Sequence, residues 1–150
     1  MIIAIATDHN GVNEKKDIIK KLENKYEIID QSRNNYSTDD YPDFAFKVAK
    51  SVASGEANLG ILMCGTGIGM SIAANKVKGI RCAHCSNLSE AKLAREHNNA
   101  NIIALSYKNN PNDNMQMIET FLNTNPSTEE RHQRRVGKIM DYEQGVYNES

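Results

Sequence analysis

Apolar positions in this chain fall into two kinds of run that take turns along it. Short, nearly continuous apolar stretches occur at Ile2 to Thr7, Tyr26 to Asp30, Leu59 to Met63, Ile80 to Ala83 and Asn101 to Leu105. Leu59 to Met63 has no period-two alternation, which suits a strand buried on both faces of a parallel sheet. Between these runs apolar residues return at helical intervals among charges, at Val12, Ile18, Ile19 and Leu22, and again at Phe44, Ala45, Val48, Ala49 and Val52. Helical patterns follow from Leu88 to His97, from Met115 to Leu122, and from Glu129 to Tyr142, where Val136, Ile139 and Met140 have core spacing. The polar stretches Gln31 to Asp40 and Tyr107 to Asn114 read as loops, and Asn123 to Thr128 as a linker. Strands alternating with helices predict one α/β domain over residues 1–150. Its core is expected to be a doubly wound, five-stranded parallel sheet with helices on both faces and a C-terminal helix, and its ligand site outside the carboxyl ends of the strands.

The most informative stretch follows the third strand. Cys64 stands at the strand's end, and Gly65-Thr66-Gly67-Ile68-Gly69 leads into a helix that continues from Met70 to Lys76, with Gly79 beyond it. The glycines leave backbone N–H groups free to face a ligand, and the helix aims the positive end of its dipole at the same spot. Negative charge is favoured there, on sulfur or on ligand, and a cysteine so placed is a candidate base or nucleophile. A tight turn whose glycines only solve a steric problem is the alternative. A dinucleotide fingerprint fits poorly, because the third glycine of G-x-G-x-x-G falls on Met70, and no G-x-x-x-x-G-K-[ST] occurs.

Other candidates sit at strand ends or on helix faces. Asp8-His9-Asn10-Gly11 closes the first strand; helix capping explains one of these residues but not the adjacent histidine. Tyr41-Pro42 opens a helix, with the proline suited to its first turn, and Tyr41 is either a packing residue or a ligand contact. Arg131 and Arg135, four apart, share a face of the last helix with His132 beside them, a solvated basic face or an anion site.

A net charge of -1 and a pI near 6.4 argue against nucleic-acid and membrane-surface partners, which need clustered positive charge. The first apolar run is too short to span a bilayer and lacks a basic leader or cleavage site. Three cysteines fit a reducing, cytoplasmic setting better than a disulfide framework. Cys82-Ala83-His84-Cys85 has C-x-x-C spacing, but no second pair closes a zinc site.

These motifs together resemble the ribose-5-phosphate isomerase B family, within the group that includes the galactose-6-phosphate isomerase subunits. The likeness covers almost the whole chain. It rests on Asp8-His9, Asp40-Tyr41-Pro42, Cys64 to Gly69 with Ser71 to Lys76, Gly79-Ile80-Arg81, Arg95-Glu96-His97-Asn98, and Arg131-His132 with Arg135-Val136. It implies a Rossmann-like, three-layer fold that interconverts D-ribose 5-phosphate and D-ribulose 5-phosphate through a cis-enediolate, without metal or organic cofactor. By this resemblance Cys64 is the base moving a proton between C1 and C2, and the N–H groups from Gly65 through Gly67 and Ile68 to Gly69 stabilise the enediolate. Asp8 and His9 hold sugar hydroxyls and part of the phosphate, Thr66 and Tyr41 assist at the ring, and His97 with Asn98 opens the furanose. Arg131 and Arg135 match the family's phosphate contacts. Lys108 falls where the family has an arginine, keeping the charge without the bidentate fork.

Galactose-6-phosphate and allose-6-phosphate isomerases share this chemistry, and a non-catalytic sugar-phosphate binder shares the sheet, although a pure binder needs no Cys64. Topology adds an expectation about assembly. Cys64 ends a strand, whereas His97 ends the helix running back from that edge, on the order of 17–20 Å away. Either His97 is not catalytic, or a homodimer or dimer of dimers with shared active sites supplies it from the neighbour, and the second is the expectation.

Overall fold

In the computed structural model, which describes residues 1–149, the chain alternates strands and helices as far as its last helix. The elements are β1 (Ile2–Thr7), α1 (Val12–Leu22), β2 (Glu27–Asp30), α2 (Tyr41–Ala53), β3 (Leu59–Cys64), α3 (Ile68–Ala74), β4 (Cys82–His84), α4 (Leu88–Glu96), β5 (Ile102–Ser106), α5 (Pro111–Asn123) and α6 (Glu130–Glu143). The strands form one sheet in the order β2-β1-β3-β5-β4, and every neighbouring pair is parallel. No helix among the described residues is long and apolar enough to cross a membrane.

The two faces of the sheet pack differently, and the alternation along the central strands decides how. Ile3, Ile5, Ile61, Met63, Ile103 and Leu105 point to one side, where they meet α1, α4 and α5. Ala4, Ala6, Leu62, Cys64, Ile102 and Ala104 point to the other, against α2 and α3. The second face is lined mainly by small residues, so α2 lies close upon it. A Cβ added at Gly60 would sit 2.7 Å from Val48 Cγ1 and 3.0 Å from Ile102 Cγ1. Both faces of β3 are buried, as its unbroken apolar run predicts.

Boundaries differ from the sequence pattern in places with clear causes. Helix α5 starts at Pro111, four residues earlier than the apolar spacing implies, because Asn110 accepts a hydrogen bond from the Asn112 N–H and proline occupies the first turn. The polar Asn114 belongs inside, where its amide donates to the Ser106 carbonyl at 2.8 Å. Helix α3 stops at Ala74, and β4 starts at Cys82 rather than Ile80. There the Asn75 amide brackets Cys82, accepting from its N–H at 2.8 Å and donating to its carbonyl at 2.9 Å.

The segment after β2 is tied down by a buried cation. Lys15, on α1, is 3% exposed, yet its three N–H donors reach Asp30 Oδ1 at 3.0 Å, the Ser32 carbonyl at 2.7 Å and Ser32 Oγ at 3.0 Å. Every proton of the ammonium group therefore has an acceptor, which offsets its loss of water. Replacing Gly60 with alanine should push α2 off the sheet and lower stability by about 1–3 kcal/mol, read from urea unfolding midpoints. An unchanged midpoint would show that α2 and β3 tolerate the extra methyl.

Candidate active site

The carboxyl edge of the sheet gathers most of the sequence-derived candidates. Cys64 lies opposite Ser106 at the ends of β3 and β5, and its sulfur accepts the Gly67 N–H at 3.1 Å. Gly67 adopts φ +83, and a Cβ there would meet the Leu105 backbone and the His84 ring at 2.9 Å, so only glycine makes this turn. The Thr66 hydroxyl accepts the Ile68 N–H at 3.1 Å, while the Thr66 carbonyl takes a bond at 2.9 Å from His84 Nε2, which must carry the proton. In the first turn of α3, Gly69 and Met70 have no carbonyl one turn back for their N–H groups. Tyr41 packs against Gly69, where a Cβ would lie 2.6 Å from the ring, and it stays 40% exposed. It is thus both a packing residue and open to a ligand.

Asp8 and His9 stand beside this loop at the end of β1, and neither caps α1, whose N-cap Gly11 has no side-chain bond. Asp8 Oδ1 instead accepts the Asn10 N–H at 3.0 Å, closing a tight turn. His9 Nδ1 lies 2.7 Å from Asp39 Oδ1. Burial raises the Asp39 carboxyl, but hydrogen bonds from Asn35, His9 and Tyr36 outweigh it and hold the group below the usual carboxylate range.

Two residues of this edge escaped the sequence reading. Asp39 gave no signal beyond being one of two adjacent aspartates before Tyr41. Tyr107 was read as part of a loop, yet its hydroxyl lies 3.5 Å from where a Gly65 Cβ would be, with Lys108 Nζ at 4.0 Å from the same point. Burial, then the charge of Asp8, holds the Tyr107 hydroxyl above its ordinary value against a hydrogen bond with Asn10. Its position just past a strand's carboxyl end is the clue that was available.

The remaining candidates are at the opposite end. His97 caps the C-terminus of α4, which at about 14 Å carries the chain back to the amino edge. The levels of Gly60 and Cys64 alone are separated by about 13 Å of strand. The His97 ring stacks on His132 with centroids 4.1 Å apart and planes 10° from parallel. Loss of water, then the charges of His97 and Arg131, push His132 below its ordinary value despite Glu129. Arg131 and Arg135 are exposed on the same helix; Arg131 pairs with Glu129 at 2.9 Å, while Arg135 makes no ion pair among the described residues. Asn98 is exposed next to His97, and clefts of about 210 and 420 Å³ adjoin the stacked rings. No group of three His, Cys, Asp or Glu side chains placed to hold a metal ion occurs among the described residues.

A doubly wound parallel sheet with a cysteine and a glycine loop at its central strand's carboxyl end defines an α/β protein whose candidate residues gather where such sheets bind their ligands. The chain belongs to the Ribose/Galactose Isomerase family, whose model matches residues 3–139. It is 41% identical over 143 residues to ribose-5-phosphate isomerase B of Escherichia coli, covering 95% of this chain and 96% of that one. Among solved structures it is similar to ribose-5-phosphate isomerase B of Clostridium thermocellum, with a TM-score of 0.91 at 45% identity over 97% of this chain and 99% of that chain. The Mycoplasma genitalium ribose-5-phosphate isomerase B, solved with bound ribulose-5-phosphate, gives a TM-score of 0.90 at 43% identity, covering 95% of this chain and 96% of that one.

Two of the three cysteines are held as thiols by their surroundings. Burial pushes the Cys82 and Cys85 thiols up to about 12, with a neighbouring charge adding to each, so both remain thiols at neutral pH. Iodoacetamide at pH 7.5 should therefore modify Cys64 first, with Cys82 and Cys85 labelled only after unfolding, as peptide mass spectrometry would show. Labelling of Cys82 or Cys85 in the folded protein ahead of Cys64 would reverse this ranking.

Proposed function

We propose that this chain is a type B ribose-5-phosphate isomerase, interconverting D-ribose 5-phosphate and D-ribulose 5-phosphate. The observation that carries this reading is the Cys64 sulfur at the mouth of the glycine loop, 3.1 Å from the Gly67 nitrogen. As a thiolate it takes the C2 proton of the open-chain aldose; the electron pair moves through C1 onto O1, giving a cis-enediolate. The proton on O2 passes to O1, and the Cys64 thiol returns its proton to C1, leaving the ketose. Of the loop donors expected to stabilise the enediolate, the Gly67 N–H is taken by the Cys64 sulfur and the Ile68 N–H by the Thr66 hydroxyl, which leaves Gly69 in the first turn of α3 to meet the developing oxyanion. Asp8, His9, Tyr41 and Thr66 hold the sugar. Lys108 offers a point charge where a fork is usual in the family.

Ring opening needs a second proton-transferring group, and within one chain His97 lies at the wrong edge. A two-fold dimer resolves this by placing the partner subunit's His97, with its Asn98, Arg131 and Arg135, over Cys64, so that each site is shared. Exposed apolar side chains support such an interface. Ile68 and Ile72 on α3 are 51% and 58% exposed beside the glycine loop, and Ile139 and Met140 on α6 are 51% and 46% exposed near His97. Arg135, without an ion pair among the described residues, is available for a phosphate. The three free thiols suit the reducing cytoplasm.

Assay of the purified protein with ribose 5-phosphate, ribulose 5-phosphate and their six-carbon analogues tests the assignment and its substrate together. Cys64→Ala should lower kcat by at least about 100- to 10,000-fold while leaving substrate binding largely intact. Near-normal turnover in that variant removes Cys64 from the chemistry. Reassociating Cys64→Ala with His97→Ala subunits should restore roughly a quarter of all sites, because half the dimers are mixed and each contains one intact site. A mixture that stays inactive although mixed dimers form would confine His97 to its own chain.

A further inference from the structure

The loop joining β2 to α2 holds a buried carboxylate that the isomerase reading does not use. The Asp39 side chain is only 7% exposed, and its oxygens receive four donors. Oδ1 accepts the backbone N–H of His9 at 3.0 Å and the His9 ring at Nδ1, 2.7 Å away. Oδ2 accepts the Asn35 amide at 2.9 Å and the Tyr36 N–H at 3.0 Å. The Asn35 amide also donates to the Thr7 carbonyl at 3.1 Å, which ties the loop to the end of β1 just before Asp8 and His9.

The donors and the carboxyl's lowered pKa together give the protonation state of this cluster. Backbone and amide N–H groups only donate, so both Asp39 oxygens accept, and the hydrogen bonds that hold the carboxyl below its ordinary range keep it ionised. With Oδ1 an acceptor, Nδ1 of His9 carries a proton. The other edge of the imidazole remains open, since the His9 side chain is 31% exposed. One carboxylate oxygen thus grips a histidine by backbone and ring at once, which leaves the ring little freedom to turn.

We infer that Asp39 is a positioning residue that commits His9 Nδ1–H to its own carboxylate, so that Nε2 alone meets the substrate. The inference deepens the isomerase reading and rests on it for the identity of that substrate. With the ring neutral, Nε2 accepts a hydrogen bond from a sugar hydroxyl; with the ring charged, it donates to a phosphate or hydroxyl oxygen. In the neutral ring it is Asp39, by holding Nδ1–H, and not the ligand, that makes Nε2 the acceptor. Asparagine cannot stand in, because its NH2 group would oppose two of the four donors. The hydrogen-bond balance that holds Asp39 below the ordinary carboxylate range agrees with this assignment.

Long-range 1H–15N NMR of the histidine rings tests the inference without any turnover. His9 is assigned by loss of its signals in His9→Gln. Above the imidazole titration, wild-type His9 should show a protonated Nδ1 and an unprotonated Nε2, and Asp39→Asn should abolish that pattern. Kinetics provide a second reading, because Asp39→Asn should lower kcat/KM by about 10- to 100-fold, mainly through KM, as losing the partner that orients a functional histidine commonly does. In a His9→Gln background the same substitution should cost less than about threefold, because the ring it orients is gone. Wild-type His9 found with its proton on Nε2, or equal losses in the two backgrounds, would overturn the inference. A protein with the Nδ1–H pattern that isomerises no sugar phosphate would instead overturn the functional assignment.

Discussion

The bond from the Gly67 N–H to the Cys64 sulfur is the interaction on which the rest of the site depends. It exists because Gly67 takes a left-handed conformation between the Leu105 backbone and the His84 ring, space that no side chain could share. That turn starts α3 just after β3, where the Thr66 hydroxyl takes the Ile68 N–H and the Gly69 and Met70 N–H groups have no carbonyl one turn back. The sulfur, the unpaired donors and the exposed Thr66 then face one small region. Cys82 and Cys85 are buried elsewhere, and burial pushes their thiols up to about 12, against a Ser71 hydrogen bond at Cys82.

A parallel sheet has two unlike ends, and this has a large consequence for the chemistry. Each strand in this order must be followed by a return across a face, so whatever ends a helix is carried away from whatever ends a strand. His97 ends α4 and Cys64 ends β3; strand rise alone keeps them more than about 10 Å apart. The basic face of α6 goes with His97, because His132 stacks on its ring. Within one chain the candidate residues are therefore divided between the two edges of the sheet.

Around Cys64, the loops at the carboxyl edge are held by hydrogen bonds among themselves. Lys15 satisfies Asp30 and Ser32, Ser32 accepts the Thr7 N–H, and Asn35 reaches the Thr7 carbonyl, so the loop after β2 is pinned to the end of β1. Asp39 hangs from that loop and holds His9. Tyr107 closes the other side, its ring against Gly11 and its hydroxyl toward Gly65. Rigid neighbours of this kind let a few side chains keep a fixed aim at a substrate.

Much of this was legible in the amino-acid order, because it depends on local rules. Unalternating apolar runs between helical periods specified a parallel α/β sheet, and the glycines after Cys64 specified a turn that frees backbone donors. Helix direction alone placed His97 away from Cys64. What the sequence could not disclose depends on side chains brought together from distant segments. The start of α5 at Pro111 was hidden because Asn114 looks like a turn residue until the Ser106 carbonyl is found beside it. Asp39 and Tyr107 look like ordinary loop residues, since a polar or aromatic side chain in a loop has no periodicity to reveal its partner. Only the folded loop brings Asp39 30 positions back to His9, and only the pairing of β3 with β5 brings Tyr107 over Gly65. Local hydrogen-bonding and packing preferences are written in neighbouring residues, whereas a contact between loops is decided by the sheet that carries them.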